Sequence, residues 1–277
     1  MFNIKGHSGC KLIVFAEEER TLVKKSSPGK HYDQRLRLQA EKQNRFSDRL
    51  SGFSELVIPE VVSIDKKFFT MDFFHGEDAI TFFDNCDIRQ IDTLVDSLIC
   101  FLNHSIFNSR LEVFDKPRFL EKLNSVEKKI TNDPVDFTLI RRYFSNLPEI
   151  VIPVGVCHGD LTFSNMLFDK SNRVCFIDFL DTFYETPLQD MVKIRQDTLY
   201  NWTALMCRQS YDVTRYRMLM RYLDRKLVEY FEKHDFYEAY YEAFQVMNYL
   251  RILPYAKQKP IKANVTQKLK EMTSQWT

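Results

Sequence analysis

The chain has 277 residues with 39 Lys+Arg against 38 Asp+Glu, a formal net charge of +1, and this balance argues against a non-specific nucleic-acid binder or a polybasic membrane-surface protein. Only 7 glycines occur, none after Gly159, where an average usage of about 7% would give roughly 19; with 14% aromatic residues this excludes collagen-like and Gly-rich disordered chains. The six cysteines form no CxxC or Cys/His cluster at zinc-ligand spacing, and neither a signal-peptide layout nor a run approaching about 20 apolar residues is present, so the expectation is a soluble cytoplasmic protein with reduced thiols.

Strands are predicted at 2–5, 11–16 and 20–26, a meander whose first turn is Gly6-His7-Ser8-Gly9. After Pro28-Gly29, residues 31–50 lack Gly and Pro and carry Tyr32, Leu36, Ala40, Phe46 and Leu50 on one side, which predicts a helix. Residues 57–64 and 67–74 read as two more strands separated by Asp65-Lys66, and Gly76 closes the region. Beyond it, helical spacing of apolar residues runs over 87–106 and 117–130. Asp133-Pro134 reads as the N-cap and first-turn pair of another helix. Short strands return around 154–178, and from Pro187 the pattern is helical almost to the end.

The stretch richest in chemistry is Val156-Cys157-His158-Gly159-Asp160-Leu161-Thr162-Phe163-Ser164-Asn165-Met166-Leu167-Phe168, followed by Val174-Cys175-Phe176-Ile177-Asp178. The apolar runs 166–168 and 174–177 flank a polar loop and predict a β-hairpin. A hairpin returns the chain to its start, so Asn165 at the entry and Asp178 at the exit lie side by side, with Asp160 on the loop before them. Three oxygen-bearing side chains at one point suit a hard Mg²⁺ ion that retains waters.

The pattern His-x-Asp-x4-Asn, with an Asp 13 residues further on, resembles the catalytic loop and metal segment of the protein-kinase-like fold, and its His-Gly-Asp form resembles the aminoglycoside phosphotransferase and choline kinase branch. Asp178-Phe179-Leu180-Asp181 and the following Glu185-Thr186-Pro187-Leu188-Gln189-Asp190 are similar to later motifs of that family. The spacing from Asp178 to Pro187 has no room for a protein kinase's activation segment, so the resemblance is to small-molecule kinases. It spans residues 1–195 and is most specific over 156–190.

This resemblance implies an α+β, bilobal protein-kinase-like fold: a small antiparallel β-sheet N-lobe with one helix, and a larger, mainly helical C-lobe. The division implied is a nucleotide-binding lobe and hinge over 1–76 and a catalytic, acceptor-binding lobe over 77–277. Gly6, His7, Ser8 and Gly9 would form the phosphate turn. Of the two lysines in Leu22-Val23-Lys24-Lys25, which point to opposite faces of the strand, Lys24 matches the family's pattern better as the phosphate lysine. Glu41 would be its helix partner, and Met71-Asp72-Phe73-Phe74-His75-Gly76 resembles the hinge, with Asp72, Phe73 and Phe74 against adenine. Asn165 and Asp178 would hold Mg²⁺ on ATP (or GTP), and Asp160 would take the proton from a substrate hydroxyl. His158 reads as architectural because Asp160 occupies the position of the base.

The implied activity is transfer of the γ-phosphoryl group to a hydroxyl of a small substrate. The alternatives are a pseudokinase-like nucleotide-binding regulatory module, or a choline, amino-alcohol or aminoglycoside kinase. Residues 210–277 hold 12 Lys+Arg and 8 Asp+Glu, a poor match to a polycationic acceptor, which favours a neutral or anionic hydroxyl compound such as a sugar or sugar derivative. The nine tyrosines between 211 and 255 form either a helical core stripe or an aromatic cage for the acceptor. Nucleotide and small substrate are the partners expected, with no nucleic acid, membrane insertion or identifiable protein partner.

Overall fold

A computed structural model describes residues 2–5, 9–50, 53–130 and 133–276. In chain order the strands are β1 (Phe2–Lys5), β2 (Lys11–Glu17), β3 (Arg20–Ser26), β4 (Leu56–Val57), β5 (Val61–Ile64), β6 (Phe68–Asp72), β7 (Glu77–Asp78), β8 (Arg110–Val113), β9 (Val151–Val154), β10 (Met166–Phe168) and β11 (Val174–Phe176). The helices are α1 (Lys30–Leu50), α2 (Ala79–Asn85), α3 (Ile88–Phe107), α4 (Lys116–Glu127), α5 (Phe137–Ser145), α6 (Pro187–Thr198), α7 (Trp202–Met206), α8 (Val213–Phe231), α9 (Asp235–Ile252) and α10 (Lys259–Thr273). The chain divides into two compact units, the first made of Met1–Cys100, His158–Thr182 and Ser210–Leu219, the second of Phe101–Cys157, Phe183–Gln209 and Met220–Thr277. The His-Gly-Asp loop and its hairpin fall in the unit that holds the N-terminal sheet.

In the first unit an antiparallel sheet runs β1-β2-β3-β6-β5. The stripe that predicts α1 from sequence buries Leu36 and Ala40 against Val23, Val61, Phe69 and Met71 of the sheet, the amphipathic solution for a helix on a sheet. The strand expected over 57–64 is two strands in two sheets: β4 pairs in parallel with β11, while β5 pairs with β6. Pro59, which has no N–H for a ladder, lies in the break. The predicted hairpin is β10 and β11, in register Met166 with Phe176. Asp169 binds the N–H groups of Ser171 and Arg173 within its turn, and Asn172 takes a φ of 64° there.

The second unit is mainly helical, with a two-stranded sheet of β8 and β9 that the helical periodicity of this region does not announce. Helix α5 starts at Phe137, capped by Asp136, whose carboxylate accepts from Leu139 N at 2.9 Å, rather than at Asp133-Pro134. The tyrosines supply core: Tyr216, in the first unit, and Tyr230, Tyr237, Tyr240 and Tyr249, in the second, are all buried. Phe114 stacks on Tyr240 at 4.2 Å and on Tyr184 at 5.4 Å, and the two hydroxyls are satisfied on backbone, Tyr184 accepting from Asp115 N and Tyr240 donating to Pro148 O. Half-buried Arg195 makes a two-pronged bond to Asp224, 3.0 Å on each oxygen, and reaches the Tyr237 hydroxyl. All six cysteines are free, and among the described residues no helix is long and apolar enough to cross a membrane.

Phe114 is 3% exposed within this aromatic layer, so Phe114→Ala should lower unfolding free energy by about 3–5 kcal/mol, measured by urea denaturation.

Candidate active site

The His158–Thr182 segment is built around backbone. Gly159 adopts φ 91°, and a Cβ there would lie 2.0 Å from Leu180 O, so only glycine allows the two stretches to pass. Leu180 N donates to His158 O at 2.9 Å. The His158 ring, fully buried, accepts the Asp160 N–H on Nδ1 and therefore donates from Nε2 to Ile177 O at 2.8 Å. Burial lowers its pKa to about 4 against the opposing pull of Asp160. His158 is thus a neutral strut between the loop and the Asp178 segment, in keeping with its architectural reading.

Asp160 and Asn165 meet directly. Asn165 Nδ2 donates to Asp160 O at 2.7 Å and to its carboxylate Oδ2 at 3.1 Å, which turns the amide oxygen of Asn165 away from Asp160 and leaves it to act as an acceptor or ligand. The hairpin brings Ile177 N onto Asn165 O at 3.0 Å, one residue before Asp178. Asp178 takes φ 62°, a left-handed backbone that aspartate tolerates better than most residues. Its carboxylate receives the ammonium of Lys25 at 2.7 Å.

Helix α1 secures this arrangement at three levels. Gln39 Oε1 accepts from Lys25 Nζ at 3.1 Å while its amide nitrogen donates to the Tyr32 hydroxyl. Lys42, itself buried, donates to Leu180 O at 2.7 Å. Phe46 lies 5.0 Å from the buried Phe179 ring, whose other neighbour is His158 at 4.2 Å.

Two residues expected at the site from sequence, Lys24 and Glu41, face elsewhere, and it is neighbours of theirs that meet Asp178 and each other. Lys24 lies with its ammonium 3.5 Å over the Phe68 ring, whereas Lys25, 3% exposed, faces Asp178. Alternation along β3 puts Lys25 on the helix-facing side with Val23. Glu41 pairs instead with Arg37, 2.8 Å away on the exposed side of α1, and Gln39 takes the position against the lysine. The signal for Gln39 is its place three residues after Leu36 on the buried stripe, a stripe that Glu41 leaves. Asp72 is held by Arg20, and the N–H groups of Asp72 and Phe73 are committed to Glu60 O and Thr21 O, so neither donates to a base. Phe74 lies beneath the Arg173 guanidinium, 5.7 Å away. Gly9 has φ 78°, the freedom a turn glycine supplies, while Gly6, His7 and Ser8 lie outside the described residues. Asp190 is buried in the first turn of α6.

Two outcomes follow. Lys25→Met should cut turnover by about 10²-fold, the scale for removing one charge-stabilising group, whereas Lys24→Met should stay within about threefold, both read from steady-state kinetics. His158 protonates more readily in the unfolded chain than in the fold, so its contribution is complete above about pH 6.5 and declines as pH falls toward 4. The stability gap between wild type and His158→Gln should therefore shrink by about 3 kcal/mol between pH 7 and pH 4, measured by urea unfolding at each pH.

The family model described as the phosphotransferase enzyme family matches residues 12–217. A search of curated proteins finds no significant match. Among solved structures, the gentamicin complex of APH(2")-IIa is similar with a TM-score of 0.58 and 16% identity, over 95% of this chain and 90% of that one. Choline kinase LicA from Streptococcus pneumoniae gives 0.58 and 11%, over 98% and 92%. Amicoumacin kinase hAmiN, in complex with AMP-PNP, Ca²⁺ and Ami, gives 0.57 and 11%, over 99% and 87%. At these identities the likeness is one of fold, and it is the family model, spanning both the N-terminal sheet and the His-Gly-Asp hairpin, that shows the chain to be a member of the phosphotransferase enzyme family.

Proposed function

We propose that this protein transfers the γ-phosphoryl group of ATP, or GTP, to a hydroxyl of a small molecule, using Mg²⁺ and Asp160 as the base. The observation that carries the reading is the linked set Lys25–Asp178 and Asn165–Asp160, two polar pairs held on one hairpin and one strand. Residues 1–76 would supply the nucleotide lobe and 77–277 the catalytic and acceptor lobe. The Phe74 side of the hinge would border the base, and the Gly6–Gly9 turn the phosphates.

The donor set suits a hard cation: a partly exposed carboxylate on Asp178, 39% exposed, and the outward amide oxygen of Asn165. Among the described residues no cluster of three or more His, Cys, Asp or Glu competes for the role. Mg²⁺ bound by Asn165 and Asp178 would supply charge neutralisation of the phosphates. Lys25, freed from part of its bond to Asp178, would add a second positive charge to them. Asp160, oriented by the Asn165 amide, would hold the acceptor hydroxyl in line and accept its proton as the new O–P bond forms. The solved complexes of relatives with AMP-PNP and Ca²⁺, and with gentamicin, support this assignment of nucleotide and small hydroxyl acceptor.

Asp160→Asn should lower kcat by at least about 10³-fold while the Kd for AMP-PNP, measured by calorimetry with Mg²⁺, stays within about threefold. Retained turnover would sink the assigned chemistry.

A further inference from the structure

The two-stranded sheet of the second unit has an open edge whose bonding groups can be read from its register. Phe114 N–H donates to Ile150 O at 3.1 Å, and these residues continue the β8–β9 register, so they form a hydrogen-bonded pair. Alternation makes Glu112 with Ile152 and Arg110 with Val154 the other hydrogen-bonded pairs. The N–H and C=O groups of Leu111 and Val113 therefore point away from β9, along the outer edge of β8. The outer edge of β9 is blunted by Pro153, which has no N–H to offer. Among the described residues β8 pairs with β9 alone.

An open edge is a template for a further strand unless it is guarded. No proline, lysine or bulge occurs in the four residues of β8, and all four are exposed. On one face Leu111 is 72% and Val113 59% exposed, and Val151, opposite Val113, is 50% exposed. On the other face Arg110 and Glu112 lie 3.1 Å apart as an exposed ion pair, which by itself contributes little.

These charges select both the occupant of the edge and its register. A second β8 running antiparallel about a two-fold axis bonds only where the outward groups of odd-numbered residues meet. With the axis at Leu111, that residue forms a hydrogen-bonded pair with its own copy, and Arg110 of each chain lies opposite Glu112 of the other. Those are the non-hydrogen-bonded positions, where opposed Cα atoms are about 4.5 Å apart and side chains approach most closely. The neighbouring two-fold registers set Arg110 against Arg110 or Glu112 against Glu112, and like charges directly opposite are destabilising. Leu111 and Val113 of both chains then share one face.

We propose that β8 is a self-association edge, through which two copies of this chain join their β8–β9 sheets into one four-stranded sheet about a two-fold axis at Leu111. A four-residue strand pair is smaller than the standard interface of about 1,600 Å², so the dimer is a weak one that forms at micromolar and higher concentrations. The proposal is independent of the reaction the protein carries out.

The test is sedimentation velocity with light scattering on the whole chain over about 1–300 µM, where the wild type should pass from monomer to dimer. Arg110→Glu and Glu112→Arg each set like charges opposite one another twice, and each should weaken the dimer by about tenfold or more. Combining Arg110→Glu with Glu112→Arg in one chain should restore it. An equimolar mixture of the two single variants should associate more tightly than either variant alone. Thermal unfolding of each variant at low concentration controls for folding. A wild-type chain that stays monomeric over the whole range, a dimer indifferent to these exchanges, or assembly that runs on past the dimer would each overturn the proposal.

Discussion

The buried ammonium of Lys25 ties strand, helix and hairpin together in the first unit. Lys25 is 3% exposed, and a charge so placed is costly without partners. Its partners come from opposite ends of the sequence, Gln39 from α1 and Asp178 from the far side of the hairpin, 153 residues away. Asp178 reaches it only from a left-handed backbone, a strain of about 1–3 kcal/mol. Leaving a buried charge unpaired costs about 3–5 kcal/mol, so the pairing outweighs the strain. The neutral Gln39 leaves Lys25 with one carboxylate, which is the group proposed to release it to a phosphate.

Much of this is legible in the sequence because it is local. The hairpin, the oxygen-bearing residues at its two ends and the helix that packs on the sheet each leave a periodic or turn signal within about 20 residues. The choice between Lys24 and Lys25 was a matter of parity. Val23 and Lys25 share one strand face, and only knowing which face meets α1 decides between the lysines. For the helix partner of the lysine, position on the helix decides over acidic residue type: Glu41 faces Arg37, while Gln39 stands on the stripe of Leu36 and Ala40 and bonds Lys25. The break at Pro59 carried its own warning, yet assigning β4 to a different sheet needed its partner β11, more than 100 residues downstream. No local pattern encodes a parallel bridge of that span.

The second unit solves a different problem. It has many rings to place, and it does so by stacking Phe114, Phe119, Tyr184, Tyr240 and Phe244 while returning the hydroxyls of Tyr184 and Tyr240 to backbone. Rings with their polar tips tied down make a stiff floor.

The missing Cβ of Gly159 sets a length scale. With Leu180 O 2.0 Å from where that atom would stand, and with His158 bridging the same two stretches, the main chain before Asp160 and the main chain after Asp178 run against each other with no side chain between them. The spacing between Asp160 and Asp178 is therefore gauged by peptide units, which do not change rotamer. Side chains around the two aspartates can vary without resetting it, because the gauge is made of main chain.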